Sequence, residues 1–327
     1  MTNPMTLAAG CGLLLAVLLI LTQGAASVLA AFAGLGIGAL WITLLRGWQI
    51  AGAGCAWWIL LPGRPGELFK VCLGLRWVRE AVNTLLPVAH IGGEIIGARL
   101  LATWRVGGGL AGASVLVDLL VQTATLVAFS IVGVFLLAQL GGEAQLIRWL
   151  SLGLVVMALA VMGFFTTQRM GGFYLIERAL LRMARNPSLS GLANVANLHA
   201  GLQLIHRRYG ALLGACAIHL IVWFIGALEI WIALACMGYS AGYMEALAIE
   251  SLGHAVRTAG FLIPGALGVQ EGGFVAICAV LGIPAPVAIA LSLAKRVPEL
   301  VLGLPGLLAW RVLEGKANSG AKDLPTP

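Results

Sequence analysis

Eight ionisable side chains stand where the sequence is otherwise apolar: Asp118, Glu229, Glu250, His254, Arg257, Lys295, Arg296 and Glu299. An acid or base held at mid-membrane costs on the order of 2.5–3.5 kcal/mol on insertion scales, so each needs a partner or a polar path. Glu250, His254 and Arg257 fall at i, i+4 and i+7 of a helix, and Lys295 or Arg296 with Glu299 repeats that spacing, which puts each set on one face. Such a face suits a lipid headgroup: arginine takes a pair of phosphate oxygens, and a carboxylate accepts from hydroxyls or amines. The alternative is closure into internal pairs, such as Arg257 with Glu250 or Arg296 with Glu299, that fix helix packing and bind nothing.

Two segments add candidates beside Pro and Gly. Asn83 leads through Pro87 to Gly92, Gly93 and Glu94, and Gly260 leads through Pro264 to Gly268, Gln270 and Glu271. In both, a Glu stands seven residues after the Pro, with Arg79 eight before the first Pro and Arg257 seven before the second. A further 24 residues past each Glu comes Asp118 in one copy and Lys295 in the other. Pro and Gly interrupt the helical ladder, and free backbone groups at membrane depth are tolerated only inside protein or along a polar cavity. Matching interruptions in two halves of a chain are the pattern of an inverted-repeat transporter with its site between them. In so Gly-rich a chain, chance resemblance is the competing reading.

The elements that must position these residues are membrane helices. The chain has 327 residues, 60% of them hydrophobic and 10% charged, and a mean hydropathy of +0.99. That much apolar surface cannot be hidden in one water-soluble core. Apolar runs cover 5–22, 27–45, 110–140, 149–165 and 211–237, and a Pro-interrupted stretch covers 247–312. A crossing needs about 20 such residues. The expected fold is all-α, a polytopic transmembrane bundle of about eight apolar segments with two Pro/Gly-broken, re-entrant or inverted-repeat elements. Residues 1–314 form one membrane domain, with repeat-like elements near 76–118 and 250–299, and 315–327 form a polar tail. No basic residue precedes the first run, so a cleaved signal peptide is not expected.

Loop cations set the orientation. Arg46, Arg64, Lys70, Arg76 and Arg79 follow the second run, which places that side, and the N-terminus, in the cytoplasm. The polar stretch 166–209 carries Arg169, Arg178, Arg182, Arg185, Arg207 and Arg208 against Glu177 alone and is also expected there. Phe173, Ile176, Leu180 and Met183 recur at helical spacing beside an arginine stripe, as in a helix lying on anionic headgroups; a second amphipathic piece spans 192–205. A plain topogenic loop would look similar.

Several classes are disfavoured. Lys and Arg number 20 against 13 Asp and Glu, but the cations lie at the ends of apolar runs, with no aromatic-basic module, so nucleic acid is not an expected partner. The five histidines, His90, His199, His206, His219 and His254, are dispersed, and neither HExxH, GxSxG nor a Walker loop occurs. No catalytic residue, metal or cofactor is expected. The six cysteines form no CxxC and read as small buried hydrophobes.

Arg76 to Leu101, with Asn83, Leu86-Pro87 and Gly92-Gly93-Glu94, resembles the first signature of the transmembrane region of lysylphosphatidylglycerol synthases and the related flippase-like integral membrane family. Pro264 to Gly273, then Leu291 to Leu300 and Leu304 to Gly306, resembles the second and more specific one. Arg79-Glu80-Ala-Val-Asn83 through Arg99-Leu-Leu101, with Ala113 to Asp118, is most similar to the HpnL branch of hopanoid-associated proteins. This resemblance implies a bacterial inner-membrane protein that moves or hands over a lipid, a hopanoid or a phospholipid, toward the outer membrane. The chain lacks room for the soluble aminoacyl-transfer domain of the synthases, so lysine transfer is not expected. Arg often follows the first signature's Glu directly; here Ile95 does, and Arg99 is the nearest cation. Arg79, Asn83, Pro87, Gly92, Gly93, Glu94, Arg99, Asp118, Glu250, His254, Arg257, Pro264, Gly268, Gln270, Glu271, Lys295, Arg296 and Glu299 are the expected translocation residues. Glu94→Gln and Glu271→Gln are expected to stop transport while leaving the protein inserted. The rival readings are a membrane enzyme acting on a polyprenyl or glycerolipid and a non-catalytic scaffold of a lipid-synthesis complex.

Overall fold

The computed structural model describes residues 24–63, 66–86, 91–104, 106–170, 193–260, 263 and 266–320, together with 14, 17, 18, 21 and 22. Among these residues every regular element is a helix. In order they are α1 (Ala25–Ala33), α2 (Gly38–Leu60), α3 (Glu67–Leu85), α4 (Gly92–Ala102), α5 (Gly108–Gln139), α6 (Ala144–Arg169), α7 (Ala193–His206), α8 (Tyr209–Cys236), α9 (Tyr243–Ala259), α10 (Val269–Val280) and α11 (Ala285–Gly320). The helix expected over 173–183, the Pro87 and Pro264 breaks and most of the first apolar run lie outside the described residues.

Among the described residues three helices are long and apolar enough to cross a bilayer: α5, α6 and α8. The pair α1 and α2, bent by 74° at the Gly34–Ile37 turn, makes a fourth if counted as one span. α3 carries too many ionisable residues to be an apolar span, α9 has 17 residues interrupted by Glu245, Glu250 and Arg257, and α4 and α10 are short at 11 and 12 residues. They owe their stability to packing inside the bundle rather than to contact with lipid. α6 shows the opposite: Trp149, Leu152, Val155, Val156, Leu159 and Met162 are all exposed, a face suited only to acyl chains.

Two expected boundaries differ. The second run does not end at Leu45. Gly36, at φ 45°, ends α1, and α2 continues straight through Arg46 to Leu60. Arg46, Arg76 and Arg79 are therefore buried mid-helix side chains and not loop cations, so they drop out of the orientation count. Pro298 and Pro305 do not cut the chain either: both lie within α11. Beside them, the Leu302 carbonyl accepts from the Trp77 indole at 2.7 Å, so α3 packs on the stretch where proline removes ladder donors.

Glycines set how closely the central helices approach. A Cβ at Gly38 would lie 2.8 Å from Cys236 Sγ, and one at Gly52 2.6 Å from Val222 Cγ2, so α2 and α8 run antiparallel in near contact. A Cβ at Gly303 would meet Leu85 and one at Gly306 would meet Ala81, both at 2.6 Å, so α3 and α11 are antiparallel as well. α9 crosses α5 at Gly133, whose Cβ would overlap the Ser251 hydroxyl. α7 does not lie free on a surface: Leu202 and Ile205 are buried with Ala113 and Val117 of α5.

Candidate functional site

Arg76, Arg79, Glu80 and Asn83 occupy one face of α3, following their i, i+3, i+4, i+7 spacing. Opposite them, Asp118 of α5 is fully buried and takes hydrogen bonds from Arg76 Nη1 at 3.0 Å, Arg79 Nη1 at 2.9 Å and His219 Nε2 at 3.2 Å. Arg76 Nη2 also donates to Gln122 at 2.9 Å, and the Arg79 guanidinium stacks 4.7 Å from the Trp57 ring centroid while pairing with Glu94. Asn83 ties α4 to α3. Its Oδ1 accepts from the Gly93 amide at 2.8 Å, and its Nδ2 donates to Glu94 Oε1 at 3.2 Å. One asparagine thus holds the first turn of α4, and with it the Glu94 carboxylate, against α3.

That closure leaves no space at Gly93, where a Cβ would sit 2.3 Å from the Arg79 carbonyl. Gly93→Ala is expected to cost about 1–3 kcal/mol, seen as a lower thermal unfolding midpoint in detergent. Gly153→Ala, which meets nothing within 4 Å, should leave that midpoint unchanged.

The second half builds a matching cluster. Lys295 of α11 reaches Glu229 of α8 at 3.0 Å and both oxygens of Glu250 of α9 at 2.7 and 2.6 Å. His254 bonds Glu250 at 3.0 Å, one turn on, and Gln49 of α2 bonds Glu229. Arg257 pairs with Glu299 and donates to Gln270 at 3.1 Å. Glu271 receives Arg296 Nη2 at 2.8 Å, and its other oxygen takes the Gly268 amide at 2.7 Å, capping α10. Gly268, at φ 76°, makes the turn into that helix, and Gln270 Nε2 and the Glu271 carboxylate both engage Ser292 of α11. Glu250 thus pairs with Lys295 and His254 rather than Arg257, and Arg296 with Glu271 rather than Glu299.

Between the clusters lies a cavity of about 210 Å³. Asn83, Glu94, His254 and Arg257 line it, each of them singled out from the sequence. Arg79, Asp118, Glu250, Gln270, Glu271 and Lys295 stand behind that wall as its buried supports, with the partly buried Arg296 paired to Glu271 and with Gly92 and Gly93 in the first turn of α4. Glu299 faces a small neighbouring recess with Arg46 and Glu80. Arg99 is elsewhere: its side chain is 56% exposed and pairs with Glu314.

Sequence reasoning missed Arg46, Gln49, Arg76, Glu80, Gln122 and His219, all of which line the cavity. Arg46 joins the halves, standing 3.6 Å from Glu80 and 3.9 Å from Glu299. Its signal was present as an Arg and a Gln three residues apart inside apolar sequence, hidden by treating the cation as a loop marker.

The apolar spans and buried ionisable walls define a multi-pass helical membrane protein with a polar interior. Residues 7–306 match the lysylphosphatidylglycerol synthase TM region, and the chain belongs to that family. No curated protein and no solved structure matched the chain.

Proposed function

We propose that the protein is a flippase-like transporter that holds the headgroup of an amphipathic lipid in the central cavity while the apolar body stays in the bilayer. The observation that carries this reading is the cavity itself: about 210 Å³, with ionisable walls from both halves of the chain. That volume suits a compact headgroup and is too small for a whole lipid.

The arrangement of helices supports an inverted repeat. α2–α5 and α8–α11 run in the same order: a helix, a charged helix, a short helix and a long helix. α3 packs on α11 and α9 on α5, each unit lending its charged helix to the long helix of the other. Since α2 and α8 are antiparallel, a two-fold axis relating them would run across both helices and hence in the membrane plane. On this reading residues 1–314 are one membrane domain of about eight apolar segments, with elements near 76–118 and 250–299 as the repeats and 315–327 as a tail. The N-terminus and 166–209 face the cytoplasm of a bacterial inner membrane, where the arginines of that segment meet anionic headgroups.

The likeness of the 79–118 stretch to the hopanoid-associated branch makes a hopanoid our proposed cargo. Lipid analysis of separated inner and outer membranes, with and without the protein, tests this. Hopanoid lost from the outer membrane and retained in the inner one is the expected result. An unchanged distribution would remove the hopanoid assignment, and a lipid of altered mass would favour the enzyme reading.

A further inference from the structure

Away from the central cavity, the ends of α6 and α8 enclose a second one, also of about 210 Å³, lined by Gln168, Arg169, Gln203, His206, Arg207 and Tyr209. Among the described residues no carboxylate lines it. Arg169 is the last residue of α6 and Tyr209 the first of α8, two helices long and apolar enough to span. The cavity therefore opens where the hydrocarbon gives way to headgroups, the depth at which tyrosine and arginine collect.

Its interior is built rather than incidental. Gln168 is wholly buried: its Nε2 donates to the Leu116 carbonyl at 3.0 Å, which leaves its Oε1 to accept from His206 Nε2 at 3.1 Å. That bond assigns the proton to Nε2 and leaves Nδ1 as the nitrogen without a hydrogen bond among the described residues. Phe165 stands edge-on to the His206 ring at 5.7 Å and carries the Arg169 guanidinium over its face at 5.8 Å, fixing both groups around one post. Neither Arg169 nor Arg207 has an ion-pair partner among the described residues.

We infer that this cavity is a phosphate site, in which Arg169 and Arg207 clamp the phosphodiester of a phospholipid at the membrane surface. Planar guanidiniums match phosphate oxygens two at a time. The inference rests on the headgroup reading of the 166–209 segment and is independent of transport through the central cavity.

His206 makes the site sensitive to pH. Burial and then the Arg169 guanidinium hold its imidazole below the ordinary histidine range. Among the described residues, those facing it are Gln168 and Arg169 from α6, Gln203 with His199 from its own helix, Arg207 in the turn before α8 and Tyr209 at its start, while α5 presents the Leu116 carbonyl. With no anion bound, burial and the Arg169 charge favour the neutral ring. A bound phosphate favours the imidazolium, so by linkage phosphate binds more tightly as pH falls through the histidine range and less tightly as it rises.

The test uses the full chain purified in a non-ionic detergent, titrated by calorimetry with dihexanoyl phosphatidylglycerol, with inorganic phosphate and with dihexanoylglycerol. The expected result is saturable binding of the phosphatidylglycerol, none of the dihexanoylglycerol, and a loss of about tenfold or more in affinity in Arg169→Gln/Arg207→Gln. The Arg169→Lys/Arg207→Lys variant should fall between. Tighter binding of the phosphatidylglycerol than of phosphate assigns the site to a lipid headgroup; equal binding assigns it to the free anion. Wild-type affinity should rise several-fold from about pH 8 to about pH 5.5, an arm that needs no variant, and His206→Gln should flatten that rise. Binding unchanged in the double Gln variant, or dihexanoylglycerol binding as well as the phosphatidylglycerol, would overturn the proposal. Arg99→Gln, whose exposed pair with Glu314 lines neither cavity, should bind as wild type does.

Discussion

Lys295→Met is expected to destabilise the folded protein more than any other single change at the centre, by about 3–5 kcal/mol. The ammonium is 7% exposed and sits within 3.0 Å of two carboxylates, Glu229 and Glu250, which are 2% and 1% exposed. Met fills nearly the same volume, so the loss is electrostatic: two buried carboxylates would face each other with, among the described residues, Gln49 and His254 left to bond them. Monodisperse yield in detergent and the thermal unfolding midpoint measure the effect. Adding Glu229→Gln and Glu250→Gln to Lys295→Met should recover most of it, because the carboxylates that needed the cation are then gone. A Lys295→Met protein as stable as wild type would mean that water, and not Lys295, solvates those groups.

The long lipid-facing helices were legible because their signal is local. α5, α6 and α8 fall within a few residues of the runs at 110–140, 149–165 and 211–237, since uniform apolarity over about 20 residues has one solution in a bilayer. Interior helices carry no such signal. α3 and α9 interrupt their apolar sequence with ionisable residues on one face, and α4 and α10 are stable only inside the bundle. Arg46 shows the cost of a rule applied without depth: an arginine that ends an apolar run reads as a loop marker, yet it is buried and links the two halves.

Pairing was legible in kind and not in detail. One helix face correctly joined Glu250 to His254, a contact set by the i, i+4 geometry. Arg257 with Glu299 and Arg296 with Glu271 depend on how α9, α10 and α11 pack, which no local spacing encodes. Position also separates the two glutamates that the sequence treats as equivalents. Glu271 is 1% exposed and caps the Gly268 amide, so Glu271→Gln should lower abundance by loosening the start of α10. Glu94 instead opens onto the cavity.

Glu94→Gln is therefore expected to separate transport from folding: a fall of about tenfold or more in lipid movement in reconstituted vesicles, with yield and unfolding midpoint near wild type. The fold tolerates the change because Arg79 keeps Asp118 at 2.9 Å as its counter-ion, and the carbonyl of the substituted side-chain amide can still accept from Asn83. What is lost is the negative charge on the cavity wall opposite His254 and Arg257. Arg99→Gln is the matched control: its pair with Glu314 is exposed, worth about 0–1 kcal/mol, and remote from the cavity, so transport should continue. If Glu94→Gln were to lose abundance and transport in parallel, its carboxylate would be a packing element like that of Glu271. Full transport with normal abundance would take the headgroup out of the central cavity altogether.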